Sequence, residues 1–82
     1  MNLFEVTRIL EQKFKDTLFT VVRTEKMIQI RFGCQAKAVI GNNAKTKAIF
    51  VGTLTGRGGL FHRYDQANAI NYVYYKAILS LI

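Results

Sequence analysis

Proline and tryptophan are absent from this chain and cysteine occurs once. Without proline, a Pro-rich linker or polyproline segment is excluded. A single thiol, Cys34, leaves no internal disulfide to form, so the stapled scaffold of small secreted domains is excluded and a reducing, cytoplasmic setting is expected. Long hydrophobic runs are missing as well. The most apolar stretch, residues 67–82, is interrupted by Asn68, Asn71, Lys76 and Ser80 and falls short of the ~20 residues that cross a bilayer as a helix, so no membrane partner is expected. The start, Met1-Asn2-Leu3-Phe4-Glu5, has neither the basic nor the apolar region of a signal peptide, and Glu5 is out of place in a transit peptide.

Catalytic equipment is sparse. Zinc takes about four Cys, His or carboxylate ligands, and the chain offers Cys34 and His62 as its one cysteine and one histidine. Neither stands in a motif of a nucleophile and its base. Four of the five acids, Glu5, Glu11, Asp16 and Glu25, lie in the first 25 residues, where they serve as solvated partners of neighbouring bases rather than as a glycosidase pair. Gly56-Arg57-Gly58-Gly59 is glycine-rich but lacks the Lys-Ser/Thr that completes a P-loop. No catalytic residue, metal site or cofactor is therefore expected, and the chain is read as a non-enzyme.

What remains is enough for a fold. The chain is 82 residues long and half apolar, sufficient for one modest core, with no internal repeat or linker, so residues 1–82 are expected to form a single small domain. Asn2 and Glu5 make a capping-box variant ahead of Leu3, Val6, Ile9, Leu10 and Phe14 at helical spacing, which predicts a helix over residues 2–15. Residues 17–23 are rich in β-branched and aromatic side chains, and Ile28, Ile30 and Phe32 alternate with Met27, Gln29 and Arg31. Two strands, 17–23 and 27–32, follow from those patterns. Residues 36–40 predict a third strand that turns Lys37 away from Ala36, Ala38 and Ile40. Gly41-Asn42-Asn43-Ala44 is expected to turn the chain into a fourth strand over 45–55, apolar on both faces and so central. Asp65 is a good N-cap for a helix running to about residue 81, with Ala67, Ile70, Tyr74, Ala77, Ile78 and Leu81 as its core stripe. The fold class is thus α+β, a four-stranded antiparallel sheet flanked by an N-terminal and a C-terminal helix, because connections this short permit hairpins and leave no room for crossover helices. The layout is loosely similar to a double-stranded-RNA-binding domain, but Asp65-Gln66-Ala67 stands where that family carries a lysine pair, so the likeness is one of topology.

Charge is the most informative feature. The net charge is +7, yet residues 1–25 and 65–82 each sum to zero, and the whole excess lies in residues 26–64, with seven basic residues and no acid. Such asymmetry points to a polyanionic partner. The expected nucleic-acid-binding residues are Lys37, Lys45 and Lys47 beside the hairpin and Arg57 and Arg63 around the glycine-rich loop, with Phe61 and Tyr64 available to stack on bases. A second reading is a protein-binding adaptor or inhibitor of phage or mobile-element type, which blocks a larger host protein or nucleoprotein complex by meeting an acidic protein surface. Its anchors would be Tyr72, Tyr75 and Leu79, grouped apart from the core stripe on the last helix and suited to a homodimer contact as well.

Overall fold

The computed structural model describes residues 2–42, 49–52 and 65–81. A first helix α1 (Leu3–Lys13) leads into strands β1 (Phe19–Arg23), β2 (Met27–Phe32), β3 (Gln35–Asn42) and β4 (Ile49–Gly52), and a second helix α2 (Gln66–Leu79) follows. The strands form one antiparallel sheet in the order β1-β2-β3-β4, which is the α+β architecture expected from the sequence.

Both helices begin on short polar side chains that satisfy otherwise orphaned amides. Asn2 Oδ1 accepts from the amides of Phe4 and Glu5 at 3.0 and 3.2 Å. Asp65 Oδ1 accepts from the Asn68 amide at 2.8 Å. Each cap contributes about 1 kcal/mol. The strand expected from residue 17 starts instead at Phe19, because Thr17 is occupied in the connection out of α1: its hydroxyl donates to the Phe14 carbonyl at 2.6 Å and accepts from the Phe19 amide at 3.2 Å. Asp16, at φ 63°, makes the reversal possible, and Leu18 is left 80% exposed.

Two tight turns set the register of the first three strands. Thr24 closes the β1–β2 turn, its amide donating to the Met27 carbonyl at 2.8 Å and its hydroxyl accepting from the Met27 amide at 3.2 Å. Gly33, at φ +63°, and Cys34 make the two-residue link between β2 and β3, a backbone conformation that favours glycine. The β2–β3 pairing then slips by one residue between Ile30 and Arg31, so Ile30 faces Ala38 whereas Arg31 faces Ala36. Ala36, expected on the core side with Ala38 and Ile40, sits instead opposite Arg31.

β3 continues past the expected turn at Gly41. Gly41 pairs with Phe50 and Asn42 with Ile49, so both belong to the strand, while Asn43 and Ala44 lie outside the described residues. Glycine is needed at this position for closeness rather than for turning: a Cβ on Gly41 would lie 2.7 Å from the Lys26 carbonyl oxygen and 2.7 Å from the Phe50 ring. β4 is not central, since among the described residues it stands at the end of the sheet and pairs with β3 alone; its expected flanks, 45–48 and 53–55, lie outside the described residues.

The core occupies one face of the sheet. Val6, Leu10 and Phe14 of α1 and Ala69, Ile70, Val73 and Ala77 of α2 pack on Phe19, Ile28, Ile30, Ala38, Ile40 and Val51. Burying an Ile or Leu of this kind stabilises the fold by ~1.5–3 kcal/mol. Phe14, Phe19 and Phe32 form an aromatic chain with ring centroids 5.1 and 5.4 Å apart, extended through Phe14 to Tyr74 at 5.1 Å. The buried stripe of α2 is rotated by roughly 75° from the one expected, at 3.6 residues per turn. Ala69 and Val73 replace Ala67, Tyr74 and Leu81, which are exposed. The small residues Ala69 and Ala77 allow the helix close to the sheet, whereas Tyr74, at the junction with α1, keeps its ring on Phe14 and its edge in water.

Candidate nucleic-acid interface

Neither helix packs on the other face of the sheet. Alternation along each strand determines which side chains it carries. With Ile28 and Ile30 turned to the helices, Met27, Gln29 and Arg31 of β2 point outward. Their pairing partners come with them: Thr20 opposite Arg31 and Val22 opposite Gln29 on β1, Val39 opposite Gln29 and Gly41 opposite Met27 on β3, and Phe50 beyond Gly41 on β4. Val39 is buried yet stands outside the core cluster, and Val22, Met27, Gln29 and Arg31 are half-buried while Thr20 is exposed. The result is a surface with an apolar floor and polar side chains at one end.

The cations of this surface are tied to uncharged partners. Arg31 donates from Nη1 to Gln29 Oε1 at 2.9 Å and from Nη2 to the Cys34 carbonyl at 2.6 Å. Lys37, the extra residue in the register slip, donates from Nζ to Gln35 Oε1 at 2.8 Å. Bulges re-aim side chains at functional surfaces, and this one places Lys37 in the strand beside the Arg31–Ala36 pair. Amide and carbonyl oxygens orient the two groups without neutralising them, so the charge stays available to an anion. None of the four strands contains an Asp or Glu. The nearest acid in sequence is Glu25, in the exposed β1–β2 turn next to Lys26.

Of the residues expected to bind nucleic acid, Lys37 is the one among the described residues, and it lies in the bulge opposite Arg31. Lys45, Lys47, Arg57, Arg63, Phe61 and Tyr64 lie outside the described residues, as do the Gly56–Gly59 loop and His62. Arg31 and Gln29 were missed as site residues, although their phase in the alternating pattern of residues 27–32 carries the signal. Arg23 is basic but belongs to the opposite side: it pairs with Ile28, and its guanidinium carbon lies 3.8 Å from the ring centroid of Phe4.

The second group of candidates is on α2. Tyr75 is 58% exposed and Leu79, one turn later, 39% exposed, on the side of the helix turned away from the sheet. Tyr72 differs from both. It packs partly against the core, with Lys76 Nζ 5.4 Å above its ring. Between the helices, Ile9, Lys13, Gln66, Ala67, Ile70 and Asn71 line a shallow groove of about 220 Å3, below the ~300–1,000 Å3 of typical small-molecule pockets. Among the described residues no group of three or more His, Cys, Asp or Glu side chains is placed to hold a metal ion, and no helix is long and apolar enough to cross a membrane.

No family model, curated protein or solved structure matches this chain. The class it defines is therefore a structural one, a basic α+β sheet domain with both helices on one face.

Proposed function

We propose that this chain is a non-enzymatic nucleic-acid-binding module of the cytoplasm, and that its acid-free region, residues 26–64, engages DNA or RNA mainly through the phosphate backbone. The observation that supports this reading is the coincidence of charge and topology. The stretch with seven basic residues and no acid spans β2, β3 and β4, and the face of those strands that neither helix covers carries Arg31, with Lys37 in the bulge opposite it. Lysine and arginine neutralise phosphates whatever the base sequence, so binding is expected to be strongly salt-dependent and weakly sequence-specific. Lys45, Lys47, Arg57 and Arg63 extend the same charge along the chain.

The test is a fluorescence titration of the purified protein against single- and double-stranded DNA and RNA at two salt concentrations. Tight binding that weakens steeply with salt is expected, and the double variant Arg31→Glu, Lys37→Glu is expected to weaken it by about tenfold or more, since each lost phosphate contact also flattens the salt dependence. Uniformly weak binding of all four ligands, or full affinity in the double variant, would remove this reading.

The exposed pair Tyr75 and Leu79 favours a second reading, a small inhibitor or adaptor of phage or mobile-element type that docks on a host protein, or on a second copy of itself, through α2. Tyrosine is over-represented among interface anchors. Under this reading Tyr75→Asp abolishes capture of a protein partner, or shifts the mass measured by light scattering from dimer to monomer, while leaving nucleic-acid binding unchanged.

A further inference from the structure

Resting on the nucleic-acid reading, we infer that the ligand is a single strand laid across the outer face of the sheet, rather than a duplex. The composition of the surface carries this choice. Among the described residues Arg31 stands at one end, opposite the bulge that holds Lys37, while Val22, Gln29 and Met27 are half-buried and uncharged. A duplex turns its phosphates outward and its bases inward, so an uncharged floor meets nothing in it that gains from leaving water. An unpaired base offers an apolar face to such a floor and a hydrogen-bonding edge to polar side chains within it.

Gln29 is equipped for the edge. Its Oε1 accepts one bond from Arg31, and its Nε2 makes a long contact of 3.9 Å to Met27 Sδ. A primary amide has two donors and two acceptor sites, so its contacts with the described residues use one of each and leave one of each for a ligand. Arg31 uses two N–H groups on Gln29 and the Cys34 carbonyl, and of the five that a guanidinium carries those not engaged by described residues would grip a phosphate beside the bound base. The helices point the same way. α1 mixes Glu5 and Glu11 with Arg8 and Lys13, and α2 carries Lys76 as its one basic residue, so neither presents the cationic face with which a recognition helix enters a major groove.

The experiment compares a fluorescein-labelled single strand of about twelve nucleotides, within the range of single-strand site sizes, with a duplex of the same sequence, by anisotropy at low and moderate salt. The single strand is expected to bind about tenfold or more tightly. Val22→Ser and Met27→Ser are each expected to weaken single-strand binding by roughly fivefold or more with the salt slope unchanged, because no cation is lost. Circular dichroism melting confirms that each variant is folded, and Gln29→Met, a change of similar length that adds no charge, provides a second probe with a loss of the same size expected. A preference for the duplex that still depends on Arg31 overturns the single-strand inference and leaves the proposed function standing. Failure to bind either ligand overturns both. Single-strand binding indifferent to Val22, Met27 and Gln29 overturns the assignment to this face.

Discussion

Ile28 and Ile30 are fully buried beneath two helices, whereas Met27, Gln29 and Arg31, alternating with them in the same six-residue strand, remain half-exposed. The covered face is chosen for volume: isoleucine, valine and phenylalanine from the strands meet alanine and valine from α2, with no buried polar or charged residue among those described. The other face is chosen for what it leaves available. Its valines and Met27 keep it cohesive, and Gln29, Arg31 and Lys37 keep polar groups at the surface, each held by a neighbour and none matched to an opposite charge in those contacts. One face is therefore expected to govern stability and the other binding, and substitutions on each should separate the two properties.

The sharpest way to break that comparison is Ile30→Ala. It leaves a cavity in the core and is expected to lower unfolding free energy by about 2–5 kcal/mol in urea titration, with no direct loss of nucleic-acid contacts. Gly41→Ala belongs to the outer face but acts on stability, because its methyl group meets both a backbone carbonyl and the Phe50 ring. A loss of about 1–3 kcal/mol is expected. Adding Phe50→Ala should not restore it fully, since the Lys26 carbonyl stays 2.7 Å away. Gly33→Ala meets no atom within 4 Å, so its cost of about 1–2 kcal/mol is purely that of placing an alanine at positive φ, and Gly33→Asn should cost less. Smallest is Lys37→Ala, expected to move the thermal midpoint within the error of a surface change, about 0.5 kcal/mol or less, while binding at low salt falls measurably. A large stability effect at Lys37 would show that the bulge serves the fold rather than the surface.

Local chemistry made much of this fold legible. The caps at Asn2 and Asp65 each need a short oxygen-bearing side chain, and the alternation of residues 27–32 needs one wet and one dry side; both signals act within a few residues. The failures came where neighbours in space decide. α2 has apolar or aromatic residues on every side, so periodicity could not select among its faces, and tyrosine misleads because its ring seeks the core while its hydroxyl accepts water. The close approach to the sheet selected Ala69 and Val73 instead of Tyr74. Gly41 resembles a turn residue until β4 is placed beside it, and Ala36 follows its expected phase until the pairing slips. The seven-cation excess was visible in the sequence, but the way Arg31 is held on the outer face was not, since it depends on Gln29 two residues away and on a carbonyl beyond the turn.

Strand order equal to chain order also has a kinetic consequence. Among the described residues every sheet pairing joins consecutive strands, so β1, β2 and β3 can zip together through two short turns without first closing a long loop. Chains dominated by such near-neighbour pairings cross their folding barrier quickly, on the order of milliseconds for mixed helix-and-sheet domains. With no proline to isomerise, the tens-of-seconds phase that slows many refolding reactions has no source here. Refolding from urea should therefore finish in a single fast phase, with docking of α2 onto β3, β4 and α1 as the step that brings the last helix to the first.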